Sequence, residues 1–396
     1  MTNKEFCEKY LVDRRNTRAL KWDGLEKKFG DPNLIGMWVA DAEFRVPDEV
    51  IDAVVARVKH GAYGYTMIGD EYYNSVIRWN KEHYNADIKR EHIRMATAVM
   101  TSIYWIVNAF TQEGDSCAIM TPVYYPFTDA IVLNKRNRVA VPLINDNGKY
   151  SIDYDEFEKQ VAENHVKLFL FCSPHNPVGR VWTEAEMDKL FSICEKYDVL
   201  IVSDEIHQDI ILDDNKFIPA SIVGGGKYRD RLFTVNAASK SFNLATLNNS
   251  FVFIYNPELR KIYDAYAERV VRFTANLLGT TATKAAYDFG GEWLKGFVSV
   301  ITENYHYARE RLNREAPGII ISELQGTYLM WLDLRAYIDP EETKEFAQDK
   351  CRLGVDYGEW FGDPKYKGFI RINLATDPKF VEQAVDNIIA NLPHKA

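Results

Sequence analysis

The sequence predicts an α/β protein built on a mostly parallel sheet, and three observations carry that prediction. The apolar runs "KLFLFC" (167–172) and "VLIVS" (199–203) bracket "TEAEMDKLFSICEKY" (183–197), which has helical periodicity. A strand, a helix and a strand in that order imply a right-handed crossover and parallel neighbours covered on both faces. Each strand-like run is also followed at once by a polar cluster, which is where α/β sheets bind ligands.

Along the chain, the N-terminus "MTNKEFCEKYLVDRRNTRALKWD" is charged throughout and lacks the apolar centre of a signal peptide. "ATAVMTSIYWIVNAF" (96–110) reads as a turn opening into an apolar helix, whose first amides, Val99 to Ser102, are free to bind an anion. In 183–197, Met187, Leu190, Phe191 and Cys194 form one stripe, and Thr183 with Glu186 makes a capping box. "RLFTVN" (231–236) and "SFVFIY" (250–255) continue the sheet. Beyond about residue 290 the texture changes to long amphipathic helices such as "WLKGFVSVITENYHYARERLNRE", then the short strands "TYLMWLDL" and "GFIRINLA" and a last helix. These shifts divide the chain into a large α/β domain, 49–288, and a smaller α+β domain made of 1–48 with 289–396.

With 396 residues, 46% of them hydrophobic, the chain can bury a core of that size. A net charge of −9, with basic and acidic residues interleaved, argues against a nucleic-acid partner, and no apolar run approaches membrane-spanning length. The five cysteines are scattered and odd in number, which argues against a disulfide framework or a zinc site. A reducing cytoplasm is the expected setting, with no metal.

The chemistry is concentrated at the strand ends. Asn176 follows the first strand, Asp204 and His207 the second, Ser239 and Lys240 the third, so all five should converge on one sheet edge. A lysine, a carboxylate, an asparagine and a histidine around one pocket suit pyridoxal 5'-phosphate: the amine condenses with the aldehyde and the carboxylate pairs with the protonated ring nitrogen. Asn176 and His207 then hydrogen-bond the ring's phenolic oxygen, Tyr124 stacks on its face, and the amides of Val99 and Met100 with the Ser239 hydroxyl receive the phosphate.

Over nearly the whole chain, "MWVADAEF", "HGAYGYT", "TPVYYPF", "SPHNPVGRVW", "VSDEIHQD", "SKSFNLA", "GTYLMWLDL" and "FIRINLA" occur in an order that resembles fold-type I pyridoxal-phosphate enzymes. Among these the chain most resembles the cystathionine β-lyase (C–S lyase) branch known as MalY/PatB. The resemblance implies the aspartate aminotransferase-like fold with a seven-stranded sheet. It implies the cofactor roles just given, with Lys240 as the lysine bonded to the cofactor. It further implies that Arg371 clamps the substrate α-carboxylate and that Tyr65 reaches the cofactor phosphate of a neighbouring subunit, making the protein a homodimer with shared sites. Ala40 and Asp41 are expected at the substrate entry. The chain departs from the family pattern at Ala98 and Met100 in the phosphate turn, and at Ser241, Thr246 and Gln325.

Each residue taken singly has an ordinary reading: Asp204 as a helix cap, Asn176 as a turn former before proline, His207 as a partly buried histidine, Arg371 as an ion-pair partner. Their joint register is what outweighs those readings. His60, His175 and Cys172 are read as structural. The expected reaction is β-elimination of cystathionine or a related S-substituted cysteine, a small amino-acid substrate, to thiol, pyruvate and ammonia. The alternatives are an aminotransferase of the same fold and a cofactor-binding regulatory protein.

Overall fold

The computed structural model describes residues 1–271 and 276–393. Seven strands form the central sheet: β1 (Ile93–Ala96), β2 (Ser116–Thr121), β3 (Asn137–Pro142), β4 (Leu168–Cys172), β5 (Leu200–Asp204), β6 (Leu232–Asn236) and β7 (Ser250–Ile254), in the spatial order β1-β7-β6-β5-β4-β2-β3. Every residue of β2, β4, β6 and β7 is buried, as expected of strands covered on both faces. The pairs from β3 to β6 are parallel, whereas β7 runs antiparallel to both β6 and β1. "SFVFIY" is therefore a strand that enters the sheet from the opposite end. The segment 237–249 between β6 and β7 holds turns and one short 3-10 helix but no α-helix to carry a parallel crossover over the sheet face.

Helix α1 spans Val99–Phe110 and α2 spans Glu184–Lys196. The capping box of α2 forms as read: Thr183 Oγ1 accepts from the Glu186 amide at 3.2 Å, and Glu186 Oε2 accepts from the Thr183 amide at 2.8 Å. Met187, Leu190, Phe191 and Cys194 are all buried, so the cap and the apolar stripe together fix where α2 starts and which side faces the sheet. At α1 the N-cap is Ala98, which supplies no side-chain acceptor, so the amides of the first turn remain available.

A second, four-stranded antiparallel sheet consists of β8 (Ile320–Ile321), β9 (Leu329–Asp333), β10 (Asp356–Tyr357) and β11 (Phe369–Asn373), in the order β8-β9-β11-β10. The 25-residue helix α3 (Gly291–Glu315) and helix α4 (Pro378–Asn391) accompany it. The N-terminal segment lies against this part of the molecule: Phe6 packs on Trp293 with ring centroids 5.7 Å apart, and Ile35–Gly36 pairs in parallel with Leu353–Gly354. No helix among the described residues is long and apolar enough to cross a membrane.

Candidate active site

The register of the central sheet sets three loop origins side by side. Cys172, the last residue of β4, pairs with Asp204, the last of β5, and Asp204 pairs with Val235 of β6. Backbone bonds then tie the loops together: Ser173 N–H donates to Asp204 O at 2.9 Å, Glu205 N–H to Val235 O at 3.0 Å, and Tyr124 N–H to Asn176 O at 3.0 Å. The result is a cavity of about 190 Å³ at the carboxyl edge. Lys240, Asp204, Asn176, His207, Tyr124, Ser239, Val99, Met100 and Ala40 all line it.

Lys240 is the lysine of this cavity, and its Nζ donates to Ala40 O at 2.6 Å. Burial lowers its ammonium to about 8, although the carboxylates of Asp41 and Asp204 pull the other way. Burial likewise raises Asp204 to about 7, despite the Ile206 amide that its Oδ1 accepts at 3.1 Å. Both groups are held away from their ordinary charge states, the condition of proton-transferring groups in clefts. His207 is driven well below its usual range by burial and by the positive charge of Lys240 and Arg371, so its ring is neutral. Its Nδ1 is buried without a hydrogen-bond partner among the described residues.

Arg371, on β11, is not among the residues that line the cavity but bonds to Asn176, which is. It is buried, donates from Nη1 to Asn176 Oδ1 at 3.0 Å and from Nη2 to Trp38 O at 2.9 Å, and forms an ion pair with Asp356. With Oδ1 engaged by Arg371, the Nδ2 group is what Asn176 has to offer a ligand. Asp41 does not line the cavity; its Oδ2 is paired with Arg14 at 2.8 Å while its Oδ1 has no partner among the described residues. Its neighbour Ala40 does reach the site, through the carbonyl that Lys240 and Tyr328 share. Tyr65 lies outside the cavity, fully exposed with Tyr63 and Met67 near it in the chain.

Several lining residues do not sit directly after a parallel strand, and a sequence reading built on strand ends passes over them. Asn249 precedes β7, and only the antiparallel entry of β7 brings its start to the carboxyl edge of the others. Its Oδ1 accepts from Tyr72 at 2.9 Å, and its Nδ2 is buried without a partner among the described residues. Thr97, Ala98, Ile206, Ala237 and Ala245 complete the wall. Cys172, read as structural, is bonded within its own loop, donating to Pro174 O at 3.3 Å, yet it also lines the cavity. Ser241 donates its hydroxyl to the buried Asp209 at 2.5 Å, and Gln325 Oε1 accepts from Arg180 and the Val181 amide at 2.9 and 3.0 Å, so two departures from the family pattern make defined bonds.

The sequence profile of aminotransferase class I and II matches residues 36–388. The chain belongs to the aminotransferase class I and II family. Within it, the chain is 32% identical to cystathionine beta-lyase PatB of Bacillus subtilis, over 96% of this chain and 98% of that one. Two solved structures superpose over 96% of this chain and 97% of theirs at 33% identity: cystalysin of Treponema denticola, which contains a pyridoxal 5'-phosphate cofactor, with a TM-score of 0.91, and the PLP-bound C-S lyase of Staphylococcus hominis, with a TM-score of 0.90. The seven-stranded, mostly parallel sheet is thus the class I and II fold expected from the sequence, with the cavity of this member at its carboxyl edge.

Proposed function

We propose that the chain is a pyridoxal-phosphate-dependent carbon–sulfur lyase that splits cystathionine or a related S-substituted cysteine into thiol, pyruvate and ammonia. The observation that carries this reading is the convergence of Lys240, Asp204, Asn176 and His207 on one cavity. The residues present suit the cofactor. Two buried polar atoms, His207 Nδ1 and Asn249 Nδ2, lack protein partners among the described residues, and the first turn of α1, which lines the same cavity, has uncapped amides. A phosphorylated hydroxypyridine supplies acceptors for such donors.

When bound, the cofactor supplies a cationic ring able to accept the electron pair left on the substrate α-carbon. Asp204 holds the ring nitrogen protonated, and the Asn176 amide and His207 ring bind the phenolic oxygen. Tyr124 covers the ring face. The amides of Val99 and Met100 hold the phosphate with the Ser239 hydroxyl, and Thr97 and Asn249 add donors. Arg371 takes the α-carboxylate through its planar fork. Lys240 Nζ would hold the cofactor's aldehyde in the resting protein and serve as the base for the substrate α-proton, and its depressed pKa keeps part of it neutral near pH 8. Loss of the thiolate from the β-carbon would leave an enamine that water hydrolyses to pyruvate and ammonia. In this reading 49–288 forms the cofactor domain, and 1–48 with 289–396 supplies Ala40, Asp41 and Arg371. The chain works as a homodimer in which Tyr65 of each subunit serves the other's phosphate; the full exposure of Tyr65 supports this.

Purified holoenzyme given cystathionine without a keto acid is expected to release pyruvate, ammonia and thiol in equal amounts. Strict dependence on a keto-acid acceptor would make it an aminotransferase, and bound cofactor with no turnover of either substrate set would make it a regulator.

The buried carboxyls also set the pH dependence of the cofactor-free protein. Asp204 is raised to about 7 and Glu205 to about 8 by burial, so the folded chain keeps protons that the unfolded chain has lost above about pH 4. Stability therefore falls as pH rises from about 6.5 to 8; below that range the lowered His175 and His207 oppose the trend, because there the unfolded histidines bind the extra protons. Lys240, lowered to about 8, acts oppositely between 8 and its ordinary value: there the unfolded chain binds the extra proton, so the curve turns upward. Between pH 6 and pH 8 the expected loss is on the order of 2 kcal/mol, read as a lower midpoint in urea. Asp204→Asn should shrink that difference.

A further inference from the structure

The turn that carries Lys240 is held by its own backbone and by a side-chain bond to a neighbouring turn. Phe242 N–H donates to Ala238 O at 3.0 Å, and Leu244 N–H to Ser239 O at 3.1 Å. Ser241, the residue after Lys240, is fully buried, and its hydroxyl donates to Asp209 Oδ2 at 2.5 Å. Serine carries its hydroxyl on a rotor with three staggered positions, so the acceptor decides which one is kept. Asp209 belongs to the bend that carries His207, closed by Ile210 N–H donating to His207 O at 3.0 Å. One bond between two side chains therefore ties together the turns that bring His207 and Lys240 to the cavity.

The Asp209 carboxylate is oriented for this bond from a third side. In the helix Asp70–Tyr84, Trp79 Nε1 donates to Asp209 Oδ1 at 3.0 Å and the Tyr84 hydroxyl donates to the same oxygen. Both helix donors take Oδ1, which leaves Oδ2 to Ser241. Burial, and then the charge of Asp209, hold the Tyr84 phenol well above its usual range, so it stays a donor. The Trp79 ring is itself stacked between His83 and Tyr287, 3.9 and 5.0 Å away centre to centre, and meets the Phe242 ring edge-on at 5.7 Å. Helix and carboxylate thus back Ser241 and Phe242, the two residues that follow Lys240. Asp209, Ser241 and Trp79 do not line the cavity, so what they do for the reaction passes through Lys240 and His207, which do. Hydrogen bonds to a carboxylate are about twice as strong as neutral ones, and a misplacement of about 1 Å at a reacting atom can cost about 10²-fold in rate.

We propose that Asp209 is a positioning residue: through Ser241 it fixes the turn of Lys240, and with it the place of Nζ against the cofactor. The proposal rests on the carbon–sulfur lyase reading and names the residue that sets its base. The deciding readout is the pH midpoint of the bound cofactor's visible absorption, titrated in holoenzyme without substrate, because that band reports the protonation of the nitrogen contributed by Lys240. Ser241→Ala, which removes one hydroxyl, is expected to raise this midpoint by about half a unit or more, since a looser turn admits water and relieves the burial that lowers Lys240. Its kcat for pyruvate release from cystathionine should fall about tenfold, with KM changed by less than about threefold. Asp209→Asn, which keeps the side chain's size but not its charge, should move the midpoint the same way. In the double variant, Asp209→Asn should add nothing to what Ser241→Ala has already done. A midpoint in Ser241→Ala that stays at the wild-type value or falls overturns the proposal, and so does a double variant whose shift is the sum of the two single shifts. A purely structural Asp209 gives the first of these results, a lower urea midpoint with the spectral one in place. Should Asp209→Asn fail to fold, Ser241→Ala decides alone. If wild type yields no pyruvate while the midpoint still moves, the lyase reading falls and the positioning stands; pyruvate release with an unmoved midpoint is the reverse.

Discussion

Lys240→Ala is expected to lower kcat for carbon–sulfur cleavage by about 10³-fold or more and to abolish the visible absorption band of the cofactor bound in the resting protein. The cavity offers no second lysine among the described residues, so no neighbouring amine can take over either the bond to the cofactor or the α-proton. His207, in the same cavity, is neutral but buried, and its part in this reading is to hold the ring oxygen. The loss should appear in kcat more than in KM, since Arg371, proposed to take the substrate carboxylate, is bonded to Asn176, Asp356 and the Trp38 carbonyl and does not depend on Lys240. Circular dichroism of the variant guards against misfolding. A variant that turned over normally would sink the site assignment.

Asp204→Asn is expected to cost about 10²-fold or more in kcat while leaving the fold in place. The side chain keeps its size, and its Oδ1 can still accept from the Ile206 amide, so the end of β5 should hold. In the proposed reading, the carboxylate that would pair with the ring nitrogen is what disappears. Without it the ring is not kept protonated, and the electron pair at the substrate α-carbon has no cation to flow toward. The variant should therefore bind the cofactor and the substrate yet stall at proton removal, visible as a large kinetic isotope effect with α-deuterated substrate. A kcat within threefold of wild type would show that Asp204 has a structural task instead.

Much of this was legible before any coordinates, for a physical reason that differs from element to element. Burial on both faces forces a continuous apolar run, and β4, β5 and β6 are written that way, so their positions could be read to within a residue or two. The start of α2 was legible because Thr183 and Glu186 satisfy amides only three residues away. Once the strands were placed, parallel geometry alone assigned Asn176, Asp204, His207 and Lys240 to a single edge, and the cavity contains all four. Asp41 and Tyr65 are not part of the cavity wall: Arg14 holds one carboxylate oxygen of Asp41, whose charge still acts on Lys240, and Tyr65 is exposed.

The sequence by itself thus determined the α/β order, the caps and the residues able to do chemistry, since each of these rests on neighbours a few positions apart or on one rule of sheet geometry. Tertiary structure alone decided that β7 enters in reverse and delivers Asn249, that Arg371 meets Asp356, and that burial moves Lys240 and Asp204 toward neutrality. Contacts between residues far apart in the chain, and the removal of water around a charge, exist only after the chain has closed on itself.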